Sequence, residues 1–330
     1  MRLFLIALVL GIAALAWADT YEVPDSELGI SEISEAMSLA SAGDTVLVKP
    51  GVYDSVSFYD TYLGRRSAVV MMKDGVVLMG SDRRDVEIDQ TGADYGILCM
   101  NVGADAVIRD LNIRGAIGRS AVPEEDGDGR SLVAGICCLD AASPTIVDVS
   151  IADVSSGLVV RSDTAPSTPS LEGVEIARCD HHGVYIYGNS APVLIDHSTI
   201  VSNFDHGVYA YSGAATLSNC SITHNGKNGV RSYLSTISVE YCNAYWNDRA
   251  GGDSLDYFGL TDPTGDDGNV SVDPRYCDLE GTTRYNYRLY DTSPLVGLGE
   301  GGTDIGAWGI GCEDTPVEEK SWGSIKALFR

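Results

Sequence analysis

The chain has 330 residues, and its 47 acids against 22 lysines and arginines give a formal net charge of −25 at pH 7. A field of that sign repels nucleic acid and anionic lipid, and it repels polyanionic polysaccharide too unless cations intervene. The eight cysteines include no C-x-x-C pair, so neither a zinc knuckle nor a thioredoxin-like site has support.

Met1 and Arg2 precede an apolar run from Leu3 to Ala16, which closes on Ala16-Trp17-Ala18 before the first acid, Asp19. This is the layout of a secretory signal peptide over residues 1–18, with cleavage expected after Ala18. The run falls short of the roughly 18 to 20 apolar residues that a spanning helix needs. The expectation is therefore a protein that is secreted or held at the cell surface, a monomer with no transmembrane segment in its mature chain and no nucleic-acid partner. In such a compartment an even cysteine count suggests disulfides.

From Gly29 the segment GISEISEAMSLASAGD has helical spacing at Ile30, Ile33, Ala36, Met37 and Ala40. Ser31 is the N-cap candidate and Gly43 the stop. An amphipathic helix here would cover the open first coil of a repeat array. TVLVKPGVY and GVVLMGSDRRDVEID then supply the opening strands.

A short phrase recurs through the middle of the chain: GILCM from Gly96, GICCL from Gly135, GLVVR from Gly157, GVYIY from Gly183, GVYAY from Gly207 and GVRSY from Gly229. The steps are 22 to 26 residues except for one of 39, which holds the insertion AVPEEDGDGRS at residues 121–131, read as a loop. Between these glycines lie IRDLNI, IVDVSI, LEGVEI, IDHSTI, LSNCSI and VEYCNA. Period-2 patterning at such a step leaves no room for a helix and predicts strands stacked coil upon coil into parallel sheets, an all-β solenoid.

The alternation assigns directions. After each repeat glycine the first and third positions face the core: Ile97, Ile136, Leu158, Val184, Val208 and Val230, then Cys99, Cys138, Val160, Ile186, Ala210 and Ser232. The second and fourth face solvent, giving outward columns Tyr185, Tyr209, Arg231 and Tyr187, Tyr211, Tyr233. A bend column runs Asn203, Asn225, Asn247, with Cys179 one coil earlier, and stacked amides there would chain hydrogen bonds between coils. Cys220 and Cys242 share one core-facing place on successive coils, close enough to bond if their Cβ vectors allow.

At this point the residues resemble something known. SEAMSLASAGDTVLVKPGVYDSVSF with GVVLMGSD resembles the opening of secreted bacterial pectin-lyase-like β-helix proteins. GNVSVDPRYCD, YRLYDTSPLVGLG and DIGAWGIGC are similar to their closing segment. The resemblance covers roughly residues 21–312 and implies a right-handed parallel β-helix over residues 19–312, acting on polysaccharide or cell-surface glycan. It is specific for the fold and nearly silent on the reaction. Cys277 and Cys312 lie in the closing segment and are the preferred disulfide pair. In residues 313–330, an acidic linker leads to SWGSIKALFR, which resembles a sorting or attachment tag; a docked amphipathic helix is the alternative.

All five histidines fall between His181 and His224, and His182 and His206 occupy the same place before successive repeat glycines, with Asp180 and Asp205 in the same turns. Histidine suits proton transfer near neutrality. One candidate chemistry is a lyase, in which Arg231 or a cation neutralises a uronate, His206 or Tyr209 takes the adjacent proton, and His182 and Asp205 support them. Another is a hydrolase pair drawn from Glu172, Glu175, Asp196 and Asp205. The Gly-His-Gly and paired Asp-Asp of polygalacturonases and the Asp-Pro-His-Asp of alginate epimerases do not occur. A third reading is non-catalytic: sugar rings stacking on Tyr185, Tyr187, Tyr209, Tyr211 and Tyr233 of a surface or adhesion protein. The loop DPTGDDGNVSVD places Asp262, Asp266, Asp267, Asn269 and Asp273 at a density that could hold Ca²⁺.

Overall fold

A computed structural model describes residues 18–115, 133–248, 255–279 and 286–313. The expected signal peptide, the insertion at 121–131 and the C-terminal tail lie almost wholly outside these residues. Among the described residues, no helix is long and apolar enough to cross a membrane.

The chain winds as a right-handed β-helix with three strands in each turn. From Thr45–Val48 to Tyr257–Phe258 the strands rotate through a first, a second and a third sheet, of nine, eight and nine strands, broken once where the hairpin Ser57–Thr61 and Gly64–Met71 gives the third sheet two strands in succession. Pairing between coils is parallel and in register. Val184–Tyr187, for example, is followed by Val208–Tyr211 and Val230–Tyr233, with Tyr187, Tyr211 and Tyr233 side by side. The first-position column from Ile97 to Val230 is buried in one continuous core. Each of these side chains stabilises the fold by about 1.5–3 kcal/mol relative to leaving it in water. The repeat glycines precede this column because there is no space for a side chain. A Cβ on Gly183 would lie 2.5 Å from Ile200 Cγ2 and 2.7 Å from the Gly207 carbonyl oxygen.

The corner between the first and second sheets takes two residues. The first is left-handed, as at Asp148 (φ 53°), His197 (41°), Asn219 (51°) and Tyr241 (51°), and the next is buried: Val149, Ser198, Cys220 and Cys242. Cys220 and Cys242 do share a core-facing place, yet both are free thiols; the Cys220 N–H donates to Cys242 Sγ at 3.4 Å. Parallel stacking aims the two side chains the same way instead of at each other.

At the next corner the asparagine column stands as expected. Asn203 Nδ2 donates to Asn225 Oδ1 (2.9 Å), Asn225 Nδ2 to Asn247 Oδ1 (2.8 Å), and Asn247 Nδ2 to Asp256 Oδ1 (2.7 Å). The remaining amide protons reach the carbonyls of Ile176, Ile200 and Ile222. Every amide in the column is thus satisfied without water, as burial demands.

Both ends are covered. The helix Ile33–Leu39 packs Ile33, Ala36 and Met37 into the core of the first coil. Its N-cap is Glu32, not Ser31, because the Glu35 carboxylate accepts the backbone N–H groups of both residues, at 3.1 and 2.8 Å. At the other end the acidic loop closes the last coil: Asn269 Oδ1 accepts the Cys242 N–H (2.9 Å), and Val270 bridges Asn243. The chain then turns back along the solenoid. Strands Tyr276–Asp278, Asn286–Tyr290 and Ile310–Cys312 form a small sheet whose closing segment lies on the outer face of the second sheet. Cys277 and Cys312 are bonded, with Cα atoms 6.0 Å apart.

Candidate functional site

The outer face of the third sheet carries the histidine and tyrosine columns, and it does bring them together. His182 and His206 are stacked at 5.3 Å, Tyr185 and Tyr209 at 5.4 Å, and His206 lies 5.4 Å from Tyr209. They point outward from the sheet but are not exposed: His182, His206, Tyr185 and Tyr209 are each 1% accessible. This corrects the expected open surface. Alternation fixes which way a side chain points, not whether a second layer lies over it. Here Tyr185 and Tyr209 join Tyr95, Leu98, Cys137 and Val159 in a buried layer outside the solenoid core, to which the hairpin Ser57–Thr61 and Gly64–Met71 adds Tyr59 and Leu63.

The histidine rings are held as structural acceptors. His182 Nδ1 accepts the His206 N–H (3.3 Å) and His206 Nδ1 accepts the Asn228 N–H (3.0 Å), so each ring ties its coil to the next. His206 Nε2 is 3.0 Å from Arg231 Nη1. With both ring nitrogens engaged and the ring buried, His206 presents no open nitrogen for taking a substrate proton. Asp205 Oδ1 is 2.5 Å from Lys227 Nζ, and its Oδ2 lies 4.0 Å from His182.

What remains open is the fourth-position column. Tyr187 and Tyr211 are half-buried and Tyr233 is 46% exposed. Tyr187 stacks on Tyr211 (5.4 Å, 13°) and Tyr211 on Tyr233 (4.9 Å, 20°). Rings stacked this closely cover one another's faces, so the ladder offers edges and a row of hydroxyls, not faces for sugar stacking. Two cations flank it: the Arg161 guanidinium lies 5.1 Å from the Tyr187 ring, and that of Arg231 5.0 Å from Tyr209 and 5.5 Å from the half-exposed Phe258. Arg161 continues the tyrosine column one coil earlier, in GLVVR, and in-register repeats signalled its place. Arg231 is the only one of the three second-position residues in its column that retains access to solvent.

The candidate hydrolase acids are spread over several faces. Glu172 and Asp196 are neighbours on the first sheet, Glu175 is on the second, and Asp205 precedes the third. Burial pushes Asp196 upward, but hydrogen bonds from Asn219, Ser218 and His197 outweigh it and hold the carboxyl below its ordinary value. Glu175 is buried, and burial raises its carboxyl to about 7.

The acids of the loop are not gathered into one cluster. Among the described residues there is no group of three or more His, Cys, Asp or Glu side chains that could hold a metal ion. Asn269 spends its amide on the backbone of Cys242, Val239 and Asp266. Asp262 and Asp273 each accept a turn N–H two residues on, from Thr264 and Arg275, while Asp266 and Asp267 point to solvent.

Comparison with known proteins agrees with this architecture. The family described as "right handed beta helix region" matches residues 66–216. Among solved structures, pectate lyase Pel9A aligns over 90% of this chain and 98% of its own, at 13% identity and a TM-score of 0.50. The Azotobacter vinelandii mannuronan C-5 epimerase AlgE4 A-module aligns over 70% and 79% (17% identity, TM-score 0.38). The catalytic domain of a GH87 α-1,3-glucanase aligns over 82% and 50% (12% identity, TM-score 0.41). Curated protein sequences gave no match. The family match and the Pel9A alignment show a right-handed β-helix fold. Identities this low speak for the fold alone.

Proposed function

We propose that the protein is an exported polysaccharide-binding β-helix and that the ladder of Tyr187, Tyr211 and Tyr233, flanked by Arg161 and Arg231, is the surface that meets glycan. The ladder carries the reading: it is an accessible row of hydroxyls, with cations beside it on a chain of strongly negative net charge. Phenol hydroxyls and guanidinium groups are the hydrogen-bonding partners that sugar hydroxyls and carboxylates take. Pel9A, which shares the fold, is a pectate lyase, and this supports a polysaccharide as the partner. Export rests on the signal-like N-terminus and on the Cys277–Cys312 disulfide, which suits an oxidising compartment.

Binding is favoured over proton-transfer catalysis on this face because His182, His206 and Tyr209 are buried. The test is a polysaccharide panel read for retention of the protein and for unsaturated or reducing-end products. Retention without product, weakened by Tyr211→Phe and by Arg161→Ala, is the expected result. Product released by the wild type and lost in His206→Asn would overturn the binding-only reading.

A further inference from the structure

The closing segment rests on a column of polar side chains along the outer face of the second sheet: Ser150, Glu175, Thr199 and Ser221, one from each of four successive coils. Two of the four, Thr199 and Ser221, meet the segment directly, as do the neighbouring Thr223 and Gly173. Tyr276 OH bonds Ser221 Oγ (2.7 Å) and Thr223 Oγ1 (3.1 Å), the Ala307 N–H donates to Thr199 Oγ1 (2.9 Å), and Trp308 Nε1 donates to the Gly173 carbonyl (3.0 Å). Glu175 is different. It is 3% exposed, its Oε1 meets only Ser150 Oγ (3.1 Å), and its Oε2 has no hydrogen-bond partner.

A carboxylate in water is surrounded by donors, and one donor does not replace them. A neutral carboxyl fits this place better, since its hydroxyl can give its proton to Ser150 Oγ and the remaining carbonyl oxygen loses less by going unpaired. The groups facing Glu175 are Ser150, Arg114 and Arg178 on the second sheet, Arg83 before it, and Tyr276 from the closing segment. The arginines are already engaged. Arg178 bonds Asp153 (2.6 Å) and Tyr287 OH (3.2 Å), Arg114 is 3.2 Å from Asp153, and Arg83 lies over the Trp308 ring (3.9 Å) and faces Asp148, Asp110 and Arg288.

We propose that Glu175 is a proton-sensitive pin beneath the closing segment: with its carboxyl neutral the segment lies down on the second sheet, and loss of that proton loosens it. Burial, the largest influence, lifts the carboxyl to about 7 against the opposing pull of Ser150 and the arginines. Undocking returns the group to water, where it ionises near 4.5. Between those two values the docked form holds a proton that the undocked form has lost. The undocking equilibrium therefore rises about tenfold per pH unit up to pH 7, then stays level. Contact is tightest in acid, and the hydroxyl column is most open to solvent at neutral and alkaline pH.

Hydrogen exchange of the full chain tests this, with rates corrected for intrinsic pH dependence. The reporters are the Gly306 and Ala307 amides, which bond Asn219 and Thr199 across the contact, and the Asn225 amide within the coils is the control. The expected result is faster exchange at Gly306 and Ala307 from pH 5 to 7, a plateau above, no change at Asn225, and flat behaviour in Glu175→Gln. Wild-type rates that are flat over this range, or a Glu175→Gln protein that keeps the slope, overturn the proposal. Should that variant fold poorly, a ¹³C titration of the wild-type carboxyl decides: a midpoint near 7 sustains the pin, and one near 4.5 overturns it.

Discussion

The rings of His182 and His206 lie 5.3 Å apart and within 16° of parallel, and each accepts a backbone N–H from the following coil. His206→Ala removes the acceptor for Asn228 and leaves a cavity, so it is expected to destabilise the protein by about 2–4 kcal/mol. His206→Asn, which keeps an acceptor, should cost less. Urea unfolding of the two variants checks the order; a His206→Ala protein as stable as wild type would mean that the ring is not packed as described.

Asn225 makes four hydrogen bonds through its side chain, to Asn203 N–H and Nδ2, Asn247 Oδ1 and the Ile200 carbonyl. Asn225→Ala strands buried donors and acceptors on the coils before and after it and is expected to cost about 3 kcal/mol or more. Asn225→Asp should also destabilise, because it offers no protons to Asn247 or Ile200. Thermal unfolding of both reads the effect.

For the ladder, Tyr211→Phe and Tyr211→Ala separate two roles. If the rings support one another face to face while their hydroxyls meet glycan, Phe keeps the melting temperature and loses glycan retention. Ala loses both. Unchanged retention in Tyr211→Phe would move the contact away from the hydroxyl row.

The disulfide closes a loop of 35 residues within the segment that lies on the second sheet. Chain-entropy reasoning gives about 3–4 kcal/mol for a loop of that length. Reduction should lower protection in the closing segment while leaving the coils intact. The other six cysteines are buried; burial raises the thiols of Cys137, Cys179 and Cys220, and a hydrogen bond with Cys99, followed by burial, raises that of Cys138. Iodoacetamide should label none of the six in the folded protein and all of them in denaturant, measured by mass.

Acid should act through Asp196. Its carboxyl is held below 3.8, the value it takes when unfolded, so its contribution is present above that pH and is lost as pH falls through the lower, folded value. The stability advantage of wild type over Asp196→Asn should shrink as pH is lowered through this range, followed by urea titration; a constant difference would exclude the carboxylate as its source.

Much of the solenoid was legible because each coil repeats the last. The six inward residues from Ile97 to Val230 and the asparagines at 203, 225 and 247 follow from spacing and alternation alone. The site was less legible, for a physical reason. A period of two tells inside from outside of a single sheet, but Tyr185 and Tyr209 are buried in a cluster of outward side chains and His182 and His206 are buried beside them, a burial that alternation does not encode. The same holds for Glu175, whose burial depends on a segment some hundred residues later in the chain. The acids from Asp262 to Asp273 read as a calcium loop by density, whereas Asn269 among them extends the corner column beyond Cys242 and finishes the last coil.

Asn203, Asn225 and Asn247 are spaced by 22 residues, and each bonds its neighbour in the same way. Such a ladder does not count its own rungs. Removing one residue from a coil would turn its inward side chains outward and break the contacts above and below, whereas removing the whole stretch 204–225 would join Asn203 to the sequence that now follows Asn225, in an equivalent environment. The body of the molecule is therefore tolerant of change in length only in whole turns, and its span from end to end is set by how many equivalent steps lie between the two caps.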